Sequence, residues 1–330
     1  MSLVSKSELK CLVVGCGSIG RRHLRNLREL GVGNLAVCDP DPDRAAPMIS
    51  ELGIPHFALF DSALDQFRPH IVLICTPPAL HVPQAMASLR SDAHVFIEKP
   101  LSHSMAGVDD LIQAAREKDR VVQVGYNMRF VDGIRSLKHT ADSGEIGRVL
   151  VVRAEVAQYL PDWRPWQDYR NSYTSKRELG GGILLDGSHE IDYVLWILGE
   201  PLAITSMAGR VSTLEVDVED CANVLLRFAS GAVADIHLDF VQRIPARSCR
   251  LAGELGTAEW NSETETFRIR LAGEAQWRVT AAPEGDSYMA ELQDFISCVA
   301  EHRCPLVGLE DGKRVLAVVE VAKREGMSVG

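Results

Sequence analysis

A lysine that closes a β-branched run and a histidine downstream of three glycines are the residues of this sequence best suited to move a proton. Glu98-Lys99-Pro100 follows the apolar run His94 to Ile97. Pro100 restricts Lys99 to extended backbone and removes a donor, which holds the lysine at a strand terminus. Partly desolvated there, its ammonium is expected at a depressed pKa that suits exchange with a substrate hydroxyl. The plain alternative is a solvated loop lysine. Further on, Gly180-Gly181-Gly182 leads into a helical pattern read as one helix from Ile183 to Leu198. At about 100° per residue, Leu184, Ile191, Val194, Leu195 and Leu198 gather on one side, and Asp186, His189, Asp192, Tyr193 and Trp196 on the other. A titratable stripe on a mostly apolar helix faces water or a site. His189 has the ordinary pKa for a general acid or base, and Asp186 one turn earlier could orient it, although a lone histidine is more often structural.

Gly15-Cys16-Gly17-Ser18-Ile19-Gly20 directly follows the run Cys11 to Val14 and precedes a helical pattern. Glycines at this spacing between strand and helix permit a tight turn, a close approach of backbone to a diphosphate, and tight helix–strand packing. The helix N-terminus, with Ser18 and Ile19 beside the glycines, then favours negative charge. Asp39, at the end of the next strand, would accept from a ribose 2'-hydroxyl and repel a 2'-phosphate, which favours NAD over NADP; its bland reading is a turn residue in Asp39-Pro40-Asp41-Pro42. Thr76-Pro77-Pro78 lies where the nicotinamide half would be walled in. His81 follows it, with a capping or surface role as the alternative.

Between Tyr159 and Lys176 the chain gathers Trp163, Arg164, Trp166, Tyr169, Arg170 and Tyr173. Aromatic faces pack on sugar rings and arginine forks bind carboxylate or phosphate. A loop packed across a subunit or domain boundary explains the same composition.

These residues need elements to position them. From Cys11 to Gly125 short apolar runs alternate with helix-period segments: strands are expected at Cys11 to Val14, Leu35 to Cys38, Ile71 to Cys75, His94 to Ile97 and Val121 to Val124, with a weaker one at His56 to Phe60. That is the pattern of a doubly wound parallel α/β sheet, a Rossmann domain over residues 1–125. After Tyr126, strands follow each other directly: Leu150 to Val156, Ala222 to Phe228, Ala232 to Asp239, Ser248 to Leu251, Thr266 to Leu271 and Gln276 to Thr280. A C-terminal α+β domain with an open, mostly antiparallel sheet is expected over residues 126–330. Helices at about Ser287 to His302 and Leu309 to Arg324 close the chain and could pack back on the first domain.

With 330 residues and 46% hydrophobic content, two cores are the default. A formal charge of −10 provides no basic footprint for nucleic acid. Eight cysteines without a CxxC pair fit a reducing cytoplasm, and neither a signal peptide nor a membrane-spanning run is evident. No set of side chains at metal-ligand spacing stands out.

Taken together, Gly15 to Gly20, Asp39, Thr76-Pro77-Pro78 with His81, Glu98-Lys99-Pro100, Asn127-Arg129-Phe130, and the glycine triplet followed by Asp186, His189 and Asp192 resemble the Gfo/Idh/MocA oxidoreductases over nearly the whole length. The resemblance implies an NAD-dependent dehydrogenase that transfers a hydride between nicotinamide and a hydroxyl carbon of a sugar, polyol, sugar acid or nucleotide sugar. Lys99, His189 and Asp186 inherit catalytic roles, the last despite a spacing of three residues where many members have four. Glu98 and His81 join the cofactor set; Asn127, Arg129, Trp163, Arg164, Arg170 and Tyr173 form the substrate set. The family also implies a homodimer or homotetramer. A non-catalytic NAD-sensing regulator, and a glycosidase that works by transient oxidation, are the rival readings.

Overall fold

The computed structural model describes residues 8–283 and 285–325. They divide into two compact units: one runs to Tyr126 and takes back Tyr288–Lys313, the other comprises Asn127–Ser287 and the residues from Arg314 onward.

In the first unit, β1 (Lys10–Val14), β2 (Asn34–Cys38), β3 (His56–Phe57), β4 (Ile71–Ile74), β5 (His94–Glu98) and β6 (Val122–Gly125) form one parallel sheet in the order β3-β2-β1-β4-β5-β6. The central strands are buried along almost their whole length, which is why they read as continuous apolar runs and not as alternations. Helices α1 (Ser18–Glu29), α2 (Pro42–Leu52), α3 (Phe60–Phe67), α4 (His81–Arg90) and α5 (Val108–Glu117) are the crossovers. The order reverses between β1 and β4, so the ligand crevice of such a sheet lies at the carboxyl ends of these strands. Those ends carry Gly15, Asp39, Thr76 and Lys99.

In the second unit, α6 (Asp132–Ser143) precedes β7 (Val149–Ala157), followed by the single turn α7 (Leu160–Trp163), three 3₁₀ turns between Tyr169 and Leu179, and the helices α8 (Ile183–Asp186) and α9 (Ser188–Leu198). Then come β8 (Pro201–Gly209), β9 (Cys221–Phe228), β10 (Val233–Asp239), β11 (Ala246–Gly253), β12 (Gly256–Asn261), β13 (Thr266–Leu271) and β14 (Arg278–Ala281). The sheet order is β14-β13-β12-β11-β7-β10-β9-β8, antiparallel except for the β7–β10 pair. Two closing helices, α10 (Ser287–Glu301) and α11 (Leu309–Glu325), complete the chain. Leu292, Phe295, Ile296 and Val299 of α10 lie in the same apolar cluster as Leu24, Val37 and Phe96 of the first unit.

Three differences from expectation have physical causes. The helix expected from Ile183 to Leu198 is two helices, parted at Gly187. A Cβ on Gly187 would stand 2.9 Å from the Ile183 carbonyl oxygen and 3.1 Å from Leu238. β8 and β12 were not anticipated, because β8 is an edge strand of mixed exposure and β12 carries one large apolar side chain, Trp260. α6 was also missed; it meets β12 at Gly133, where a Cβ would fall within 1.8 Å of the Trp260 ring. Among the described residues, no helix is long and apolar enough to cross a membrane.

Candidate active site

The glycine turn has the geometry its spacing implies. Gly15 sits at φ +91°, a conformation that disfavours any Cβ, and one there would lie 2.7 Å from the Cys75 carbonyl oxygen. At Gly20 a Cβ would lie 1.9 Å from the Gly15 oxygen, so α1 packs on β1 only with glycine. Gly17 differs: nothing stands within 4 Å of its would-be Cβ, and with Ser18 it is exposed at the start of α1, whose N-cap has no side-chain partner. This open backbone at a helix N-terminus fits a dinucleotide diphosphate. Asp39, 3% exposed, holds the turn: its carboxylate accepts from the Cys16 N–H at 2.7 Å and the Asp41 N–H at 2.9 Å. The turn-residue reading is therefore part of its role, and each oxygen retains a lone pair for a ribose hydroxyl.

Two of the expected cofactor residues have defined partners within the protein. His81 neither caps nor lies on the surface. It is 1% exposed, with Nδ1 2.9 Å from the Pro100 carbonyl oxygen and Nε2 2.8 Å from that of Thr76. Burial lowers its pKa below the ordinary value. Glu98 turns inward: His23 Nε2 donates to its Oε1 at 2.6 Å, and its Oε2 accepts from the Lys99 N–H at 3.2 Å. Thr76 and Pro77 are half-buried at the end of β4, with the Thr76 hydroxyl donating to Gln84 at 2.7 Å. Lys99 is half-buried between buried neighbours.

In the second unit the polar stripe is largely buried, apart from half-buried Trp196. Asp186 and His189 are 6% and 7% exposed, and Asp192 and Tyr193 are fully buried. Asp192 takes the Arg129 guanidinium bidentately, at 2.9 Å from Nε and 2.7 Å from Nη2. Arg129 is 3% exposed and lies over the Trp196 ring, which gives it a core role. The Asn127 amide donates to the Ser287 hydroxyl at 2.8 Å. Trp163 packs edge-on against Phe240 and donates to the Gln158 carbonyl oxygen. Exposed Arg170 is forked onto Asp168 and bound again by Glu215 at 2.9 Å. Tyr173 is the informative member of the set: its hydroxyl donates to Asp186 Oδ1 at 2.8 Å. Burial, then the Asp186 charge, pushes its phenol well above the usual range, so it remains a donor.

The glycine triplet explains how Tyr173 reaches Asp186. A Cβ on Gly181 would meet the Tyr173 and Thr174 carbonyl oxygens at 2.4 Å, and Gly182, at φ +108°, donates to the Thr174 oxygen. Glu219 accepts from the Leu184 N–H and caps this turn, its own pKa raised by burial. It borders a cavity of about 440 Å³ that also involves Arg177, Arg210 and Lys323 but none of the residues picked from the sequence. Sequence reading missed Glu219, His23 and Glu291. His23 had one available signal, its place on the glycine-turn helix; the other two had none.

A family model described as an oxidoreductase family with an NAD-binding Rossmann fold matches residues 9–126, and one described as the GFO/IDH/MocA C-terminal domain matches residues 134–259. The chain is 31% identical to a myo-inositol 2-dehydrogenase of Thermotoga maritima, over 94% of each protein. It is 27% identical to a scyllo-inositol 2-dehydrogenase (NAD(+)) of Bacillus subtilis, over 91% of this chain and 89% of the relative. A solved aldose-aldose oxidoreductase of Caulobacter crescentus superposes with a TM-score of 0.83 at 25% identity, covering 96% of this chain and 97% of the other. The fold, the glycine turn and these matches together show that the chain belongs to the GFO/IDH/MocA oxidoreductases, enzymes built on an NAD-binding Rossmann fold.

Proposed function

We propose that the chain oxidises or forms a ring carbinol of a cyclitol or sugar, with Lys99, His189 and Asp186 as its catalytic residues. The carrying observation is that Lys99 stands half-buried at the carboxyl end of β5, with the neighbour on either side hydrogen-bonded in place. NAD, held by the Gly15–Gly20 turn and by Asp39 at its ribose, supplies the two-electron acceptor when bound. Lys99 polarises the substrate oxygen. His189 would take the hydroxyl proton as the carbinol is oxidised to the carbonyl, and return it in the reverse direction. Asp186, oriented by Tyr173, supports the charge that His189 gains. Arg164, half-buried and close enough to Tyr173 to lower its pKa electrostatically, is the arginine available to substrate, and Trp163 offers a face for the ring.

The inositol dehydrogenases among the relatives support a cyclitol first and an aldose second. The oligomer is a homodimer or homotetramer formed through the open sheet face, where Val151, Val233, Leu225 and Met207 are 40–63% exposed. The location is cytoplasmic, in keeping with eight free cysteines.

The test is a screen of myo-inositol, scyllo-inositol, aldoses, sugar acids and nucleotide sugars with NAD and NADP, read at the nicotinamide absorbance. Lys99→Ala is expected to lower turnover by about 10²–10⁴-fold with NADH binding retained. Unchanged turnover refutes the assignment, and tight NAD binding with no substrate oxidised refutes the activity.

A further inference from the structure

We propose that two buried histidines, His23 and His81, are positioning residues for Lys99, each fixing the residue on one side of it. This deepens the reading of Lys99 as a catalytic group and rests on it.

On one side, His23 lies on α1, the helix that opens at the glycine turn, and is completely buried. Its ring stands edge-on to Phe96 at 5.2 Å and to Tyr288 at 6.3 Å. From there Nε2 donates to Glu98 Oε1 at 2.6 Å, and the other oxygen of the same carboxylate accepts from the Lys99 N–H. On the far side, His81, on α4, reaches the Pro100 carbonyl oxygen at 2.9 Å. Its second nitrogen lies 2.8 Å from the Thr76 oxygen, and a neutral ring donates to one of these two carbonyls at a time. Glu98 is 7% exposed and Pro100 is buried, so within this tripeptide only the Lys99 side chain emerges.

The chemistry needs this arrangement. A lysine side chain carries about 2 kcal/mol of rotamer freedom, and its ammonium is useful only within hydrogen-bond reach of the reacting oxygen. A displacement of about 1 Å costs on the order of 10²-fold in rate. An apolar side chain at position 23 could fill the same volume against Phe96. It could not hold the carboxylate whose second oxygen takes the Lys99 amide.

His23, Glu98 and Glu291 also bring one donor atom each within 4.8 Å of one another, which raises a divalent cation as the rival occupant. The 2.6 Å contact between His23 and Glu98 is a direct hydrogen bond, and treatment of the wild type with a chelator separates the two readings.

The experiment compares full-length wild type, His23→Leu, His23→Gln and Lys99→Ala with NAD and the polyol oxidised fastest in the screen above. Glutamine offers an N–H about where Nε2 lies, and leucine offers none. For His23→Leu, kcat is expected to fall about 10–100-fold, with KM and the NADH Kd within about 2-fold. Amide hydrogen exchange of the peptide spanning 96–103 is expected to quicken. His23→Gln is expected to recover most of kcat and the slow exchange. Should the leucine variant not fold, His23→Asn, too short to reach Glu98, replaces it. The proposal is overturned if the donorless variant keeps wild-type kcat, if glutamine rescues neither kcat nor exchange, or if a chelator reproduces the loss in wild type. Lys99→Ala turning over normally would instead sink the underlying reading, whatever His23 does.

Discussion

Tyr173 and Arg129 were both drawn from the sequence as substrate contacts, and the structure separates them. The Tyr173 hydroxyl donates to the Asp186 carboxylate, a bond to a charged acceptor worth about 1.5–3 kcal/mol. Tyr173→Phe is therefore expected to lower kcat roughly 10-fold without unfolding the protein; steady-state kinetics beside a melting curve checks this, and an unchanged kcat contradicts it. Arg129 belongs to the core. Removing its charge deprives buried Asp192 of its bidentate partner, at a cost of about 3–5 kcal/mol. Arg129→Leu should thus show its effect in the denaturant midpoint, with KM near wild type in the protein that remains folded; a KM defect at normal stability would return Arg129 to the substrate set. Tyr173 was legible from the run of aromatics and arginines that contains it, and Arg129 from the family resemblance carried by Asn127-Arg129-Phe130. They could not say to what each side chain would bond, since Asp192 lies 63 residues from Arg129.

At the scale of elements, the junction of β5 and β6 carries a pH signature. His94 opens β5, is 8% exposed, and accepts the Val121 N–H at its Nδ1, which requires that nitrogen to be unprotonated. Burial, with Arg120 and His302 adding positive charge, lowers its pKa from 6.5 to about 4. The unfolded chain then binds the proton more readily than the folded one between these values. Stability conferred by neutral His94 is full above pH 6.5 and is lost as the pH falls toward 4, by roughly 3 kcal/mol in total. Urea midpoints measured across pH 4–7 should fall in that direction, and His94→Asn should flatten the slope; an equal slope in the variant would remove His94 from the account. The strands of this sheet were legible because burial on both faces writes a continuous apolar run. The break at Gly187 was not: the 3.6-residue period runs through it, and the close approach that excludes a Cβ there comes in part from Leu238 and Val156, on distant strands. Asp186 and His189 consequently belong to successive helices and not to one face of a single helix.

For the whole molecule, the second sheet is the feature with the widest consequence. Val233 pairs with Val151 and Leu225 with Asp235, so exposed Val151, Val233 and Leu225 share one sheet face, set among Arg153, Asp235 and Arg227, and a mixed apolar and charged surface of this kind is what we propose the subunits bury. If the proposed oligomer forms through this face, Leu225→Glu is expected to shift its sedimentation coefficient toward that of the monomer; an unshifted species would place the interface elsewhere. The first unit is completed by α10, whose Phe295 packs edge-on against Phe96 at 5.6 Å, so its core is assembled from segments about 200 residues apart. By itself the sequence determined the glycine turn, the acidic end of β2, the parallel order of the first half and the lysine at the end of β5. Each of these is a local requirement of backbone conformation, hydrophobic period or charge that neighbouring residues enforce. The tertiary structure alone decided that His23 and His81 brace the residues flanking Lys99, that Tyr173 serves Asp186 and that Arg129 serves Asp192. A buried polar group must find its partner wherever the fold brings one, and that search does not follow the chain.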